Sequence, residues 1–202
     1  MLHYTAMADC ASAERALCNP QTEVSAHYLI SSQGVVTSLV REEDRAWHAG
    51  AGAWGSVKDV NSRSIGIELS NSGFVPFAAP QMDSLESLLG EIMERWNIPP
   101  ERVIGHSDCA PGRKIDPGVR FDWQRLALSG LSVWPEPQPV EHAVDLERDM
   151  DRALRTLGYT GPEPFDVRLR AFRARFCPVR SGSCDVNDLA MAQDLARRYP
   201  VD

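Results

Sequence analysis

The segment that most constrains the fold is Gly105–Gly118, whose sequence is GHSDCAPGRKIDPG. Pro-Gly pairs at positions 111-112 and 117-118 favour bends on both sides of the tetrapeptide RKID. We therefore expect the residues between these bends to form an exposed but fixed loop. In an extended backbone, residues two positions apart project to the same side, so Lys114 and Asp116 should point into one cavity.

Length and composition set the broad class of the protein. The chain has 202 residues, 43% of them hydrophobic and 24% charged, which is typical of a soluble globular protein with a sizeable core. A formal net charge of -7 and a pI of about 5.3 argue against non-specific binding to nucleic acid or anionic lipid.

The sequence also bears on the compartment. We expect no transmembrane segment, because no apolar run approaches about 18 residues. Since no signal peptide is visible, the chain as it stands is predicted to be cytoplasmic. The alternative is a periplasmic protein or outer-membrane lipoprotein, if an upstream leader is missing.

The five cysteines follow no CxxC pattern, so a zinc finger has little support. Cys177 and Cys184 flank a turn-rich segment and could pair, although free thiols are the default expectation.

Hydrophobic alternation predicts strands in the first half of the chain. Met1–Thr5 alternates as a half-buried strand does, with His3 facing away from the core. Val24–Ile30 and Val35–Val40 are predicted to form a β-hairpin. In Ser64–Leu69 the apolar residues share one face, which leaves Glu68 on the other face of a rigid strand.

Helical periodicity follows these strands. Gln81–Asn97 carries apolar residues at helical spacing, ends before two prolines, and is predicted to pack on the sheet. Val103-Ile104 is predicted to be a short buried strand that delivers His106 at its end. Phe121–Leu128 should be the last helix of this unit. The predicted fold class is α/β, a mixed β-sheet flanked by helices.

Alternating prolines at 135, 137 and 139 favour a stiff, extended connector, so we place a linker at 132–140 between domains 1–131 and 141–202. Beyond it, helical patterns cover about Val144–Leu157, Glu163–Phe176 and Asp185–Tyr199. They predict a small C-terminal three-helix domain.

Several polar residues are candidates for a metal-dependent hydrolytic site. Such a site needs three protein ligands and one open position, which His3, His106 and Asp116 would supply to zinc. Glu68 is the candidate general base, and Lys114 would stabilise the oxyanion formed when water adds to an amide carbonyl. Taken singly, a strand histidine is more often structural, and a strand glutamate is often only a salt-bridge partner.

The Trp- and Gly-rich loop Arg41–Gly55 is long enough to line a site. Trp47 could stack on the face of a sugar or peptide, or could equally be a packing anchor. His27 and His48 are either structural or line the cleft.

Five stretches together carry a family resemblance: LHYTAM, SAHYLIS, AWHAG, NSRSIGIEL and GHSDCAPGRKIDPG. In this order they resemble the type 2 N-acetylmuramoyl-L-alanine amidases, zinc enzymes of bacterial cell-wall turnover, over about Met1–Leu131. The resemblance implies an amidase domain that cleaves the amide between N-acetylmuramic acid, or its 1,6-anhydro form, and L-alanine. It implies the same site residues as above, namely zinc ligands His3, His106 and Asp116, acid/base Glu68 and transition-state stabiliser Lys114. It also implies substrate contacts from Trp47, His48, Asn61, Ala110 and Arg113.

The expected partner is peptidoglycan or a muropeptide, and the sequence assigns no oligomeric state. The helical tail resembles a peptidoglycan-binding appendage, although a docking or dimerisation unit is an alternative. If the tail is such an appendage, a chain ending near Val140 should still hydrolyse soluble muropeptides. Peptidoglycan recognition proteins offer a non-catalytic alternative for the whole chain. Those receptors typically lack a zinc ligand, whereas all three candidates are present here.

Overall fold

The computed structural model describes residues 1–139 and 145–201. The predicted domain boundary at Val140 and residues 141–144 lie outside the described residues. Four short strands form one sheet in the order β1-β4-β2-β3, namely β1 (Leu2–Tyr4), β2 (Tyr28–Ile30), β3 (Val36–Ser38) and β4 (Ile67–Leu69). Strands β1, β4 and β2 run parallel, and β3 is antiparallel to β2. The predicted mixed sheet and hairpin are therefore confirmed.

Seven α-helices accompany the sheet in the described residues. They are α1 (Cys10–Leu17), α2 (Ala79–Trp96), α3 (His106–Cys109), α4 (Trp123–Leu128), α5 (Leu146–Leu157), α6 (Phe165–Phe176) and α7 (Val186–Arg198). Short 3-10 turns lie at Pro20–Thr22, Asn61–Arg63 and Pro100–Arg102. Among these helices, none combines the length and apolar composition needed to cross a membrane.

Helix α2 covers the sheet much as its periodicity predicts. It begins two residues earlier than expected, with a proline in its first turn, where the missing N–H costs no hydrogen bond. It ends where Asn97 adopts the left-handed conformation that commonly terminates helices. One apolar core lies between this helix and the strands; its members include Leu2, Ile30, Ile67, Leu69, Leu85, Leu89 and Ile92.

The predicted strand at Val103-Ile104 is wrong. The Leu2 N–H donates to the Ile104 carbonyl (2.9 Å), and a single bridge links Leu2 to Gly105. The chain cannot extend further because a 3-10 turn ends at Arg102 and helix α3 begins at His106. His106 therefore enters the site from the first turn of a short helix beside β1.

The loop predicted between the two Pro-Gly bends is exposed only in part. Residues 112–115 are exposed, as expected, but Asp116 is buried. Its side chain turns inward, where it lies beside two histidines. The bends therefore present a surface segment whose last residue belongs to the interior.

The three C-terminal helices share an apolar core with the first half of the chain. Buried residues of the helical part pack in one cluster with buried residues of the first half; the cluster includes Met150, Leu154, Tyr159 and Phe172 together with Trp54, Ile104, Cys109 and Ala110. The three predicted helices are confirmed, and the division into two domains stays a prediction. The shared core means that the helices cover part of the first half.

Candidate active site

Three potential metal ligands converge at the edge of β1. The Nδ1 atom of His3 lies 3.0 Å from Nδ1 of His106 and 2.9 Å from Oδ2 of Asp116. The distance from Nδ1 of His106 to Oδ2 of Asp116 is also 3.0 Å. These side chains come from strand β1, from the start of α3 and from the loop after it, and all three are buried. His3 thus meets two residues more than 100 positions further along the chain, and the three donor atoms surround one point.

The charges of this cluster favour a cation. Burial lowers the pKa of His3 to about 4, although the neighbouring Asp116 carboxylate, which would accept a hydrogen bond from the protonated ring, opposes that shift. Burial would raise the pKa of Asp116, but its contacts with His106 and His3 outweigh burial and hold that pKa well below the usual range. Near neutral pH His3 is therefore an uncharged donor and Asp116 an anionic one, which suits a divalent metal ion.

Glu68 lies beside this cluster on the neighbouring strand. In the parallel β1–β4 pair His3 is opposite Glu68, and both side chains line the same cleft. The Oε2 atom of Glu68 is buried and has no hydrogen-bond partner among the described residues. Burial raises the pKa of Glu68 to about 8; the Asp116 carboxylate adds to this shift and Lys114 opposes it. Glu68 as a whole is half-buried, and its buried, unpartnered Oε2 atom is poised to accept a proton or a hydrogen bond from a ligand.

A cleft of about 450 Å³ opens above these groups. Its lining includes Lys114 and Asp116, as their spacing predicts, and also Trp47, Arg113 and His48. Trp47 is 57% exposed, and the Arg45 guanidinium lies 4.7 Å from the centre of its ring. Trp47 is therefore an exposed aromatic side chain at the cleft, with the Arg45 guanidinium stacked over its ring.

The remaining predicted substrate contacts are placed differently. Arg113 is exposed, but its guanidinium donates to the backbone carbonyls of Ala49 (2.6 Å) and Ala51. Asn61 and Ala110 are buried and do not line the cleft. His48 touches the cleft but is only 8% exposed, and burial and the neighbouring His3 keep its pKa far below the ordinary value, so its ring is neutral.

The sequence did not predict two groups of the site. Tyr4, next to His3, lines the cleft, although its alternation with Leu2 predicts that it faces the core. The Ala49 carbonyl contacts His106 Nε2 at 2.8 Å. A backbone carbonyl carries no side-chain signal, so only its place inside the AWHAG stretch hinted at a role.

Comparison with known proteins places this arrangement in a family. A family model described as N-acetylmuramoyl-L-alanine amidase matches residues 1–119. The chain is 34% identical to N-acetylmuramoyl-L-alanine amidase AmiD of Escherichia coli K12 over its whole length, covering 83% of that protein. It is also 45% identical over 110 residues to the 1,6-anhydro-N-acetylmuramyl-L-alanine amidase AmpD of Haemophilus influenzae, which involves 54% of this chain and 60% of that protein.

Solved structures extend this similarity to the C-terminal helices. The structure of Escherichia coli AmiD with anhydro-N-acetylmuramic acid-L-Ala-D-γ-Glu-L-Lys matches all of this chain and 89% of that one, with a TM-score of 0.90 and 34% identity. AmpDh3 of Pseudomonas aeruginosa in complex with anhydromuramic pentapeptide matches 99% of this chain and 91% of that one, with a TM-score of 0.90 and 33% identity. The chain therefore belongs to the N-acetylmuramoyl-L-alanine amidase family.

Proposed function

We propose that the protein binds zinc and hydrolyses the amide bond between N-acetylmuramic acid, in its 1,6-anhydro form, and the L-alanine of a stem peptide. The observation that carries this proposal is the convergence of His3, His106 and Asp116 beside the buried, unpartnered Oε2 atom of Glu68. The anhydro form is favoured because the solved relatives AmiD and AmpDh3 are bound to anhydromuramic peptides.

The donor set fits zinc. Nitrogen and oxygen ligands lie about 2.0–2.1 Å from zinc in tetrahedral sites, which puts neighbouring donor atoms about 3.3 Å apart. The three contacts here, 2.9–3.0 Å, are close to that value. The Ala49 carbonyl can only accept a hydrogen bond, so His106 carries a proton on Nε2, and in the tautomer protonated there alone the lone pair on Nδ1 faces Asp116. A divalent cation between such acceptors would relieve their mutual repulsion.

The side chains of the cleft supply the remaining steps. When bound, zinc supplies Lewis-acid chemistry that activates water and polarises the amide carbonyl. Glu68, as carboxylate, takes a proton from the attacking water and later delivers it to the leaving amide nitrogen. Lys114 places a positive charge where negative charge develops on the carbonyl oxygen. One water is consumed, and the products are a free lactyl carboxyl group and a free L-alanine amine.

The open groups of the cleft have a role in recognition. We propose that the exposed face of Trp47 packs against the sugar or the peptide and that Arg113 contacts the substrate at the rim. Ala110 belongs to the shared apolar core and would affect substrate binding only through the loop that follows it. A peptidoglycan-binding role of the C-terminal helices remains a prediction from their resemblance.

The cysteines support a proposal about the compartment. All five are free, so Cys177 and Cys184 are not paired. Persistent free thiols favour a reducing compartment, the cytoplasm, over an oxidising one. Cell fractionation with thiol-labelling of the native protein would test this, and isolation of a disulfide-bonded form would contradict it.

The activity test uses a defined anhydromuramic tripeptide and mass spectrometry. We expect two products, anhydro-N-acetylmuramic acid and the free tripeptide. In ¹⁸O-labelled water one heavy oxygen should enter the lactyl carboxyl group, because water attacks that carbonyl. Saturable binding with the substrate left intact would instead identify a recognition module, and cleavage elsewhere in the peptide would contradict the proposed bond.

Removal of the metal gives a second test. Chelation should abolish hydrolysis, and stoichiometric zinc should restore it. Zinc should also raise the melting temperature, because a ligand that binds only the folded state stabilises it.

His3→Ala should lower the zinc content measured after dialysis. An unchanged one-to-one content in that variant would remove His3 from the ligand set.

A further inference from the structure

Both metal-binding histidines have an outer ring nitrogen that points away from the cluster, and both outer nitrogens meet one dipeptide, His48-Ala49. We propose that this dipeptide, held by the side chain of Asn61, is the element that fixes the orientation and the proton position of both imidazoles. The proposal rests on the metal-binding part of the proposed function. It assigns His48 and Asn61 positioning roles in place of substrate contact.

His106 is fixed by the backbone of this dipeptide. Its Nε2 atom lies 2.8 Å from the Ala49 carbonyl oxygen, which can only accept a hydrogen bond. Nε2 therefore carries a proton, and in the tautomer protonated there alone the lone pair on Nδ1 faces His3 and Asp116. A backbone carbonyl in this position is a common outer partner of metal-binding histidines.

His3 is fixed by the side chain of the dipeptide. Its Nε2 atom lies 3.0 Å from Nδ1 of His48. At the far side of the His48 ring, Nε2 makes long contacts with the Ser64 carbonyl (3.5 Å) and hydroxyl (3.4 Å). The Ser64 hydroxyl already donates to the Val60 carbonyl (2.6 Å), so both Ser64 oxygens accept from His48.

The hydrogen bonds that link Ser64, His48 and His3 can run in only one direction. Because His48 donates through Nε2, its Nδ1 atom must accept, and His3 must donate through its own Nε2. The lone pair of His3 Nδ1 is thereby directed at His106 and Asp116. One proton arrangement thus satisfies the outer partners and leaves both inner nitrogens free for a metal.

Asn61 and Gly66 hold the dipeptide in place. The Oδ1 atom of Asn61 accepts from the backbone N–H groups of His48 (3.0 Å) and Ala49 (2.7 Å), and its side chain is buried. The His48 ring packs directly on Gly66, where an added Cβ would lie 2.4 Å from the ring.

The test compares zinc affinity in two variants of His48. The Oδ1 atom of asparagine can take the place of the accepting Nδ1, whereas leucine offers no acceptor. We expect His48→Leu to weaken zinc binding by about 10–100-fold, the usual effect of losing an outer hydrogen bond to a ligand. His48→Asn should retain affinity within a few-fold of the unchanged protein. Zinc alone is the probe, titrated against a chromogenic chelator, and Co²⁺ absorption spectra report the ligand geometry.

A matched control separates positioning from general stability. Gln81 is fully buried, donates to the backbone carbonyls of Ile30 (2.8 Å) and Ser70 (3.2 Å), and lies outside the cleft lining. Gln81→Leu should lower the melting temperature without changing zinc affinity. Equal loss of zinc affinity in Gln81→Leu and His48→Leu would overturn the proposal.

Two further outcomes would also overturn it: unchanged affinity in His48→Leu, or a loss in His48→Asn as large as in His48→Leu. If His48→Leu does not fold, Asn61→Ala carries the test, because it should weaken zinc binding through both histidines; wild-type affinity in that variant contradicts the proposal. Zinc binding by the unchanged protein is measured first. If that protein binds no zinc, the proposed function fails, and the variants no longer test the role of His48-Ala49.

Discussion

Replacing Glu68 by glutamine is expected to lower turnover by about 10²–10⁴-fold, the usual contribution of a positioned acid/base group. Glutamine keeps the shape of the side chain but cannot take a proton from water. Zinc content should stay at one per chain, because Glu68 lies beside the three proposed ligands and is not one of them. Steady-state kinetics on a defined anhydromuramic tripeptide, with metal analysis of the same samples, would measure both quantities. Turnover within threefold of the unchanged protein would exclude Glu68 as the base.

The pH dependence provides an internal check. The carboxylate is the active form, so kcat/KM should rise with pH as Glu68 ionises. Its pKa of about 8 in the metal-free protein places this rise above the usual range of a glutamate, and a cation in the site would move it down. The rise should be missing from the residual activity of Glu68→Gln.

The same substitution that lowers turnover, Glu68→Gln, should not lower the stability of the metal-free protein. A carboxyl group whose pKa is raised by folding destabilises the folded state once the pH exceeds its unfolded pKa. The metal-free Glu68→Gln protein should therefore be at least as stable as the unchanged metal-free protein at neutral pH. A lower melting temperature would show that the carboxylate makes stabilising contacts instead.

A chain that ends after Pro139 is expected to lose its folded structure and its zinc, contrary to what the linker pattern alone predicts. The ring centres of Trp54 and Tyr159 are 5.0 Å apart. Without the C-terminal helices, the apolar residues packed against them, including Trp54, Ile104 and Cys109, would become exposed to solvent. Burying one large apolar side chain contributes about 1.5–3 kcal/mol, against a total stability of about 5–15 kcal/mol. Circular dichroism and zinc retention would test this. A cooperatively folded, zinc-loaded fragment would contradict it.

A buried ionic cluster makes the same dependence measurable in the full chain. Asp108, on helix α3 two residues after His106, accepts from the Tyr159 hydroxyl (2.6 Å) and from Arg175 (2.8 Å). Arg175→Met leaves this carboxylate without its cation and should cost about 3–5 kcal/mol. The matched control is Arg170→Met on the same helix, because Arg170 pairs with Asp166 at the exposed surface and should cost about 0.5 kcal/mol or less. Denaturant unfolding measures both, and equal costs would contradict the role of Asp108.

The parts of the fold that the sequence predicts correctly are those governed by local patterns. Alternation identifies strand β1 and the hairpin, and helical periodicity identifies α2 within two residues at its start. The strand expected at Val103-Ile104 fails because neighbouring turns leave it too short to pair, which alternation does not detect. The shared core could not be predicted for a related reason: apolar stripes on three helices show that the helices bury a face, but not what covers it.

The candidate site shows the same division. Candidate metal ligands and the base are recognisable because their residue types carry the chemistry, and the structure brings His3, His106 and Asp116 within 3.0 Å of one another. Their supports are hidden because they work through backbone groups. The carbonyl of Ala49 has no side-chain signature, and the role of Asn61 depends on two N–H groups that become neighbours of its amide only after folding.

The pairing of His3 with Glu68 across β1 and β4 has a consequence for engineering. Adjacent strands are held about 4.8 Å apart by their ladder of hydrogen bonds, whatever loops connect them. The separation between the proposed metal ligand, His3, and the proposed proton acceptor, Glu68, is therefore set by the sheet. Grafting new loops around the cleft could retarget the enzyme to other acylated peptides without disturbing that spacing.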